Sequence, residues 1–271
     1  MNSLKVACLQ TNTGPDRKTN LEMIESLMLE ASIKKSQLVA LPEACDFLHE
    51  DAEVMKNYAS PVNNHLALKH ICKLSKKFNY WTLIGSLTVR QDKGKLANRS
   101  FLISPQGEVV AWYNKIHMFD ANIPGSEDAK ESDIYLPGNK LVVAETPWGE
   151  LGMSICYDVR FPHLYRALAH RGANLLSVPA AFAEITGQAH WHTLLKARAI
   201  ENACFVIAPA QTGHHYQNRY SYGHSLIIDP WGEVLADGGV DVGVIMADLD
   251  LDKISKAKAI INSIAHDRAF A

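Results

Sequence analysis

The chain has 271 residues, 47% of them hydrophobic, which suffices for one large core; layered α/β or all-β architectures of this length are commonly a single domain, expected here over residues 1–271. Lys and Arg number 27 against 29 Asp and Glu, and no basic run stands out, so the electrostatic footprint of a nucleic-acid binder is missing and the expected partner is a small molecule. Five cysteines at positions 8, 45, 72, 156 and 204 make no disulfide framework, no apolar stretch approaches the roughly 18 residues of a membrane span, and "MNSLKVACLQ" enters a strand-like alternation with no signal-peptide pattern, so a cytoplasmic protein with free thiols is expected.

Short β-branched runs alternate with longer amphipathic stretches. "LKVACLQT" predicts a strand, residues 17–35 a helix and "QLVALPE" a second strand. Residues 62–78 read as a helix, with Leu66, Ile71, Leu74 and Phe78 at roughly helical spacing, and "YWTLIGSL" as the next strand. Three times a strand then runs into Pro-x-Gly-Glu and a second strand: "LISPQGEVVAWY", "AETPWGELGMSI" and "IIDPWGEVLAD". Pro suits the second position of a tight turn and Gly the following position that needs positive φ, so each is a hairpin. Between the last two lie a helix at 161–171, a strand in "ANLLSVPA" and a helix at 189–203. Residues 121–138, rich in Gly, Pro, Ser and Asp, form one long functional loop. The pattern is that of a layered α/β fold with mixed sheets.

Three reactive side chains follow apolar runs: Glu43 after "LVALP", Lys115 after "VVAWYN" and Cys156 after "LGMSI". Open α/β sheets usually build their sites at such strand ends. A cysteine that attacks a carbonyl needs a base or a cation to supply its thiolate, and the tetrahedral oxyanion needs donors. Each residue alone has a bland reading, as packing thiol, turn carboxylate or surface cation; the three together do not.

"LPEACDF" around Glu43, "YNKIHMFD" around Lys115 and "CYDVRFP" around Cys156 resemble the three catalytic motifs of the nitrilase superfamily, the carbon–nitrogen hydrolases, in that family's order and approximate spacing. The resemblance covers almost the whole chain and implies a four-layer α-β-β-α sandwich. It makes Cys156 the nucleophile, Glu43 the general base and Lys115 the cation beside thiolate and oxyanion, with the Tyr157 N–H a second oxyanion donor. A second glutamate near the lysine matches Glu131, in "KES", with Glu127 as a rival. The pieces "AAFAEITGQAHWHTLLKARAIEN", "YSYGHSLIIDPWGEVL" and "IPGSEDAKES" resemble the amidases of deaminated glutathione, with omega-amidases of 2-oxo acids close behind. In that branch Arg160 and Thr186 match a clamp for a 2-oxo acid carboxylate. The resemblance implies a homodimer and no cofactor. Hydrolysis of another small amide or carbamoyl compound, and an idle scaffold on the same fold, are the alternatives.

Other conspicuous residues have local explanations. Arg160 could instead pair with Asp158 or another acid, and Thr186 could cap a helix starting at "GQAHWH". The histidines of "HWH" and His214 and His215 suggest a metal, but side chains two apart on a helix point to different faces, so no metal site is expected. Cys45 reads as core beside the site, Arg198 and Glu201 as a pair one helical turn apart, and Trp148 and Trp231 as packing residues of matching hairpins.

Overall fold

The computed structural model describes residues 2–91, 94–122 and 129–268. Strand β1 (Ser3–Gln10) leads into helix α1 (Arg17–Ile33), whose N-cap Asp16 accepts the Thr19 N–H at 2.7 Å. Strand β2 (Leu38–Ala40) and helix α2 (Ala52–Tyr58) follow. The helix expected over 62–78 divides into a 3-10 turn at Val62–Asn64 and α3 (Leu66–Phe78), because His65 turns its ring nitrogen to the Leu68 N–H and caps the second piece. Leu66, the first helical residue, is 63% exposed rather than core, whereas Ile71 and Leu74 are buried. Strands β3 (Trp81–Arg90), β4 (Leu96–Ile103) and β5 (Val109–Asn114) form a meander. Within the expected long loop, β6 (Asp120–Ala121) pairs with β7 (Ala129–Lys130).

The second half opens with β8 (Val143–Thr146), β9 (Gly149–Met153), α4 (Pro162–His170) and β10 (Leu175–Ser177). Helix α5 spans Glu184–Asn202, five residues longer at its start than expected. Gly187 is no breaker: a Cβ there would lie 2.3 Å from the Cβ of Tyr222, so the glycine lets the helix lie against its neighbour. Strands β11 (Phe205–Ala208), β12 (Thr212–Tyr216), β13 (Arg219–Tyr222), β14 (Leu226–Ile228), β15 (Val234–Asp237) and β16 (Gly243–Asp250) precede α6 (Asp252–Ile260). The three Pro-x-Gly hairpins form as the turn chemistry requires, with φ of +80°, +115° and +87° at Gly107, Gly149 and Gly232.

Two six-stranded sheets result, ordered β16-β1-β2-β3-β4-β5 and β15-β14-β11-β10-β9-β8. In each, three parallel strands occupy the centre and antiparallel strands the flanks. Alternation along β1 sorts its side chains: Leu4, Val6 and Cys8 face the core shared with the second sheet, while Ala7 and Leu9 pack with Ile24 and Met28 of α1 and Ile71 and Leu74 of α3. Leu164 and Leu168 of α4 and Trp191 and Leu195 of α5 join the first core from the far side of the second sheet. The layers are helix, sheet, sheet, helix, as the four-layer sandwich requires. Burial on both faces explains why β2 and β11 read as unbroken apolar runs.

The hairpin of β12 and β13 lies outside both sheets and holds His215, whose Nδ1 lies 2.9 Å from Thr13 O and Nε2 2.8 Å from Ser221 Oγ. Burial pushes this imidazole down to about 4, helped by Arg219 and His214 and opposed by the Thr13 carbonyl. Between that value and the ordinary 6.5 the unfolded chain binds a proton that the folded one refuses. Stability contributed by the neutral ring is therefore full above pH 6.5 and lost as pH falls towards 4, by about 1–2 kcal/mol between pH 7 and pH 5. In urea unfolding at those two pH values, His215→Gln should show a loss smaller than the parent's by about that amount.

Candidate active site

Beyond β9 the backbone cannot continue as strand, because Cys156 takes a left-handed conformation with φ +49°. Its N–H donates to Pro179 O at 2.9 Å, and Ser154 Oγ donates to Ser177 O at 2.6 Å, tying the bend to the end of β10. A single 3-10 turn, Cys156–Arg160, then delivers the chain to Pro162 at the start of α4. Asp158, fully buried in that turn, accepts from Ile155 N and Tyr113 Oη through Oδ2, at 2.9 and 2.8 Å. Its Oδ1 accepts the His117 N–H at 3.1 Å and lies 2.7 Å from His117 Nδ1. The carboxylate thereby staples the cysteine turn to the segment that follows β5.

That segment begins with Lys115, 2% exposed, whose Nζ donates to Glu43 Oε1 at 2.9 Å and Glu131 Oε2 at 2.7 Å. Asn98 of β4 donates through one nitrogen to both carboxylates, at 2.9 and 3.0 Å. Glu43 Oε2 accepts the Ala181 N–H at 2.9 Å. Glu131, at the 3-10 turn after β7, accepts the Phe119 N–H at 2.7 Å as well. Glu131 thus stands beside Lys115; its rival for the second-glutamate position, Glu127, lies outside the described residues.

Burial alone would raise the Glu43 carboxyl, but the Lys115 charge and the bonds from Lys115 and Ala181 outweigh it and hold it below its usual range. Burial works against the Lys115 ammonium, yet Glu131 and Glu43 push it well above ordinary lysine. Burial, then the Glu43 charge, pushes the Cys156 thiol well up in spite of Lys115. The resting site is therefore a neutral thiol in one cavity with a carboxylate and an ammonium, so that a proton-accepting group is already in place. Such a set can pass the thiol proton to Glu43 during attack on a carbonyl and hold the resulting oxyanion.

Cys156, Glu43, Lys115 and Glu131 line one cavity of about 230 Å³, together with Tyr157, Arg160 and Thr186. All seven residues singled out from the sequence meet there. The Tyr157 ring packs edge-on against Phe119 and Phe161. Arg160 does not pair with Asp158: its guanidinium lies over Phe182, 5.1 Å from the ring centroid, and contacts His190 Nδ1 at 3.3 Å. Thr186 caps no helix; it lies inside the first turn of α5 with Oγ1 donating to Ala183 O at 3.3 Å. Asn98 and Arg219 also line the cavity and were not foreseen. A buried Asn within the apolar strand "LANRSFLI" was a signal for the first; nothing local marks the second.

Outside the cavity, Cys45 is buried with Sγ 3.7 Å from Ser86 O, and burial followed by the Asp46 charge pushes its thiol well up, as befits a packing residue. His190 and His192 diverge, the latter reaching Asp237 Oδ2 at 3.1 Å while His224 Nδ1 lies 2.8 Å from Oδ1. His192, His224 and Asp237 thus meet in space, a cluster that sequence spacing hides. Arg198 and Glu201 pair at 2.7 Å. Trp148 packs against Trp81, but Trp231 is 56% exposed.

The chain belongs to the carbon–nitrogen hydrolase family, whose model matches residues 5–259. It is 40% identical over 264 residues to a protein named deaminated glutathione amidase from Synechocystis sp., covering 96% of each chain. The Caenorhabditis elegans NitFhit structure matches with a TM-score of 0.92 and 37% identity, over 98% of this chain and 65% of that longer fusion protein. A Nesterenkonia amidase of the nitrilase superfamily, in which acrylamide has added to the active-site cysteine, matches with a TM-score of 0.80 and 26% identity over 96% and 98% of the two chains.

Glu43 is aimed by backbone contact as much as by its partners. Leu41 N donates to Leu83 O at 2.8 Å, Ser86 N to Pro42 O at 3.3 Å, and Ala44 N to Ser86 Oγ at 2.9 Å. Gly85, between these residues, leaves no room for a methyl: a Cβ would lie 2.2 Å from Leu41 O and 2.3 Å from Pro42 O. Gly85→Ala must displace the segment carrying Glu43, so kcat/KM should fall by about tenfold or more and stability by roughly 1–3 kcal/mol. Amide hydrolysis kinetics and thermal unfolding measure both.

Proposed function

We propose that this carbon–nitrogen hydrolase is a single-domain thiol amidase whose substrate is a 2-oxo acid amide, deaminated glutathione in particular. The observation that carries the catalytic part is the buried Lys115 ammonium held between Glu43 and Glu131, with the Cys156 thiol lining the same cavity. Cys156 Sγ attacks the amide carbonyl carbon as its proton passes to Glu43. Lys115 Nζ and the Tyr157 N–H hold the oxyanion. Glu43 returns the proton to the departing amine, the C–N bond breaks, and a thioester remains on Cys156. Water then attacks the thioester, giving its proton to Glu43; collapse expels the sulfur, which recovers that proton, and releases the acid. Glu131 supports the reaction by keeping Lys115 charged.

The substrate assignment rests on Arg160, which no carboxylate neutralises among the described residues, and on the name carried by the Synechocystis relative. A planar guanidinium suits a 2-oxo acid carboxylate, and Thr186 would add a hydroxyl donor. The reading also makes the protein a cytoplasmic homodimer. Five free cysteines support a reducing compartment, and the exposed Ile200, Trp231, Ile260 and Ile261 support an interface.

Incubation with the substrate should give an acyl adduct on Cys156 by intact mass, and Cys156→Ala should stay folded while kcat falls by about 10³-fold or more. Substantial turnover by a folded Cys156→Ala protein contradicts the mechanism. Arg160→Lys keeps the charge and loses the fork, so kcat/KM for the 2-oxo acid amide should drop on the order of 10- to 100-fold, against less than about threefold for a simple neutral amide. An equal fall on both substrates would show that Arg160 serves the reacting groups and not the carboxylate.

A further inference from the structure

Arg219 is a second guanidinium in the same cavity. It lies on β13, which runs along the wall made by residues 181–183: Tyr222 N donates to Phe182 O at 2.9 Å, and Ala183 bridges to Ser221. Arg219 Nη2 donates to Ala181 O at 3.0 Å, the carbonyl of the residue whose N–H holds Glu43. Arg160 stacks on Phe182 of that wall, so the two arginines flank one three-residue segment. Arg219 Nε is shielded from solvent and has no acceptor, and no carboxylate pairs with Arg219 among the described residues. A guanidinium nitrogen desolvated without an acceptor costs free energy until an anion supplies one.

Charge in the cavity sharpens the point. Lys115 is already matched by Glu43 and Glu131, while Glu50 and Lys130 at the margin are exposed. Apart from exposed Lys130, Arg160 and Arg219 are the lining cations that no carboxylate pairs with among the described residues. A 2-oxo acid amide of ammonia carries one carboxylate and uses one of them. An amide whose leaving amine is itself an acid carries two, on opposite sides of the scissile bond; deaminated glutathione, with its terminal glycine, is of this kind.

We propose that Arg219 forms the leaving-group subsite, binding the carboxylate at the far end of the departing amine while Arg160 holds the 2-oxo acid end. The assignment rests on the function proposed above. Arg219 thereby acts in acylation, since its anion departs with the amine, whereas Arg160 keeps its carboxylate through the thioester stage. The fold selects peptide-like acidic leaving groups over ammonia.

The test compares kcat/KM for deaminated glutathione and for the same compound with its glycine carboxylate converted to a neutral carboxamide, in the parent and in Arg219→Gln. The parent should prefer the acid on the order of 10- to 100-fold, the range expected for a charge-assisted bidentate contact, and the variant should bring the ratio to within about threefold of unity. The parent comparison needs no variant and stands even if Arg219→Gln folds poorly. Turnover of both compounds at equal kcat/KM by the parent overturns the subsite and leaves the amidase reading intact, as does an undiminished preference in the variant. Hydrolysis of neither compound overturns the substrate class itself, and the subsite with it.

Discussion

A lysine ammonium almost fully removed from water is the constraint on which the rest of this structure depends. Lys115 is tolerable at 2% exposure because two carboxylates surround it, and those carboxylates are tolerable because Asn98, Ala181 and Phe119 donate to them. The participants come from β4, from the ends of β2 and β5, and from the turn after β7, so the ion cluster can exist only if these pieces close together. Removing any one partner would leave a buried charge short of compensation. The site is thus also a clamp on the fold, holding Lys115 and Glu131 against the first sheet.

The second sheet is brought to this cluster by the Ala181 N–H on Glu43 and by Asp158. With Ile155, Tyr113 and His117 all directed at its carboxylate, the turn carrying Cys156 cannot move independently of the segment carrying Lys115. Left-handed backbone at Cys156 and at Ala44, one residue beyond Glu43, stores local strain on both sides of the reacting pair. The surrounding hydrogen bonds repay it by fixing where thiol and carboxylate meet. Preorganisation of this kind favours a neutral thiol that ionises during attack over a thiolate maintained at rest, in keeping with the directions in which burial and charge drive Glu43 and Cys156.

The division of labour within the cavity follows the two sheets and the hairpin outside them. Glu43, Lys115 and Cys156, the groups proposed to react, follow strand ends, where backbone hydrogen bonding is dense. Arg160 and Arg219, to which the proposals above give the substrate's two carboxylates, come from a short 3-10 turn and from the β12–β13 hairpin. Family membership therefore speaks most directly to the first group, and the identity of the acyl and leaving groups rests on the second.

Local periodicity and turn chemistry were legible in the chain itself. The alternation of "LKVACLQT", the three Pro-x-Gly hairpins and the motifs ending in Glu43, Lys115 and Cys156 depend on neighbours within a few residues, and the sequence by itself determined them, along with the layered α/β class. The start of α5 was misread because the contact that accommodates Gly187 comes from Tyr222, 35 positions away. Leu66 was misplaced because, five residues before Ile71, it lies about 140° round the helix from that residue and off the stripe of Leu68, Ile71 and Leu74 that is buried. Only tertiary structure decided that Glu131 meets Lys115, that Asp158 staples two loops and is lost to Arg160, and that Asn98 and Arg219 enter the cavity. Each of these depends on groups that chain spacing leaves independent, and it took the closing of two sheets around a buried charge to bring them within hydrogen-bonding distance.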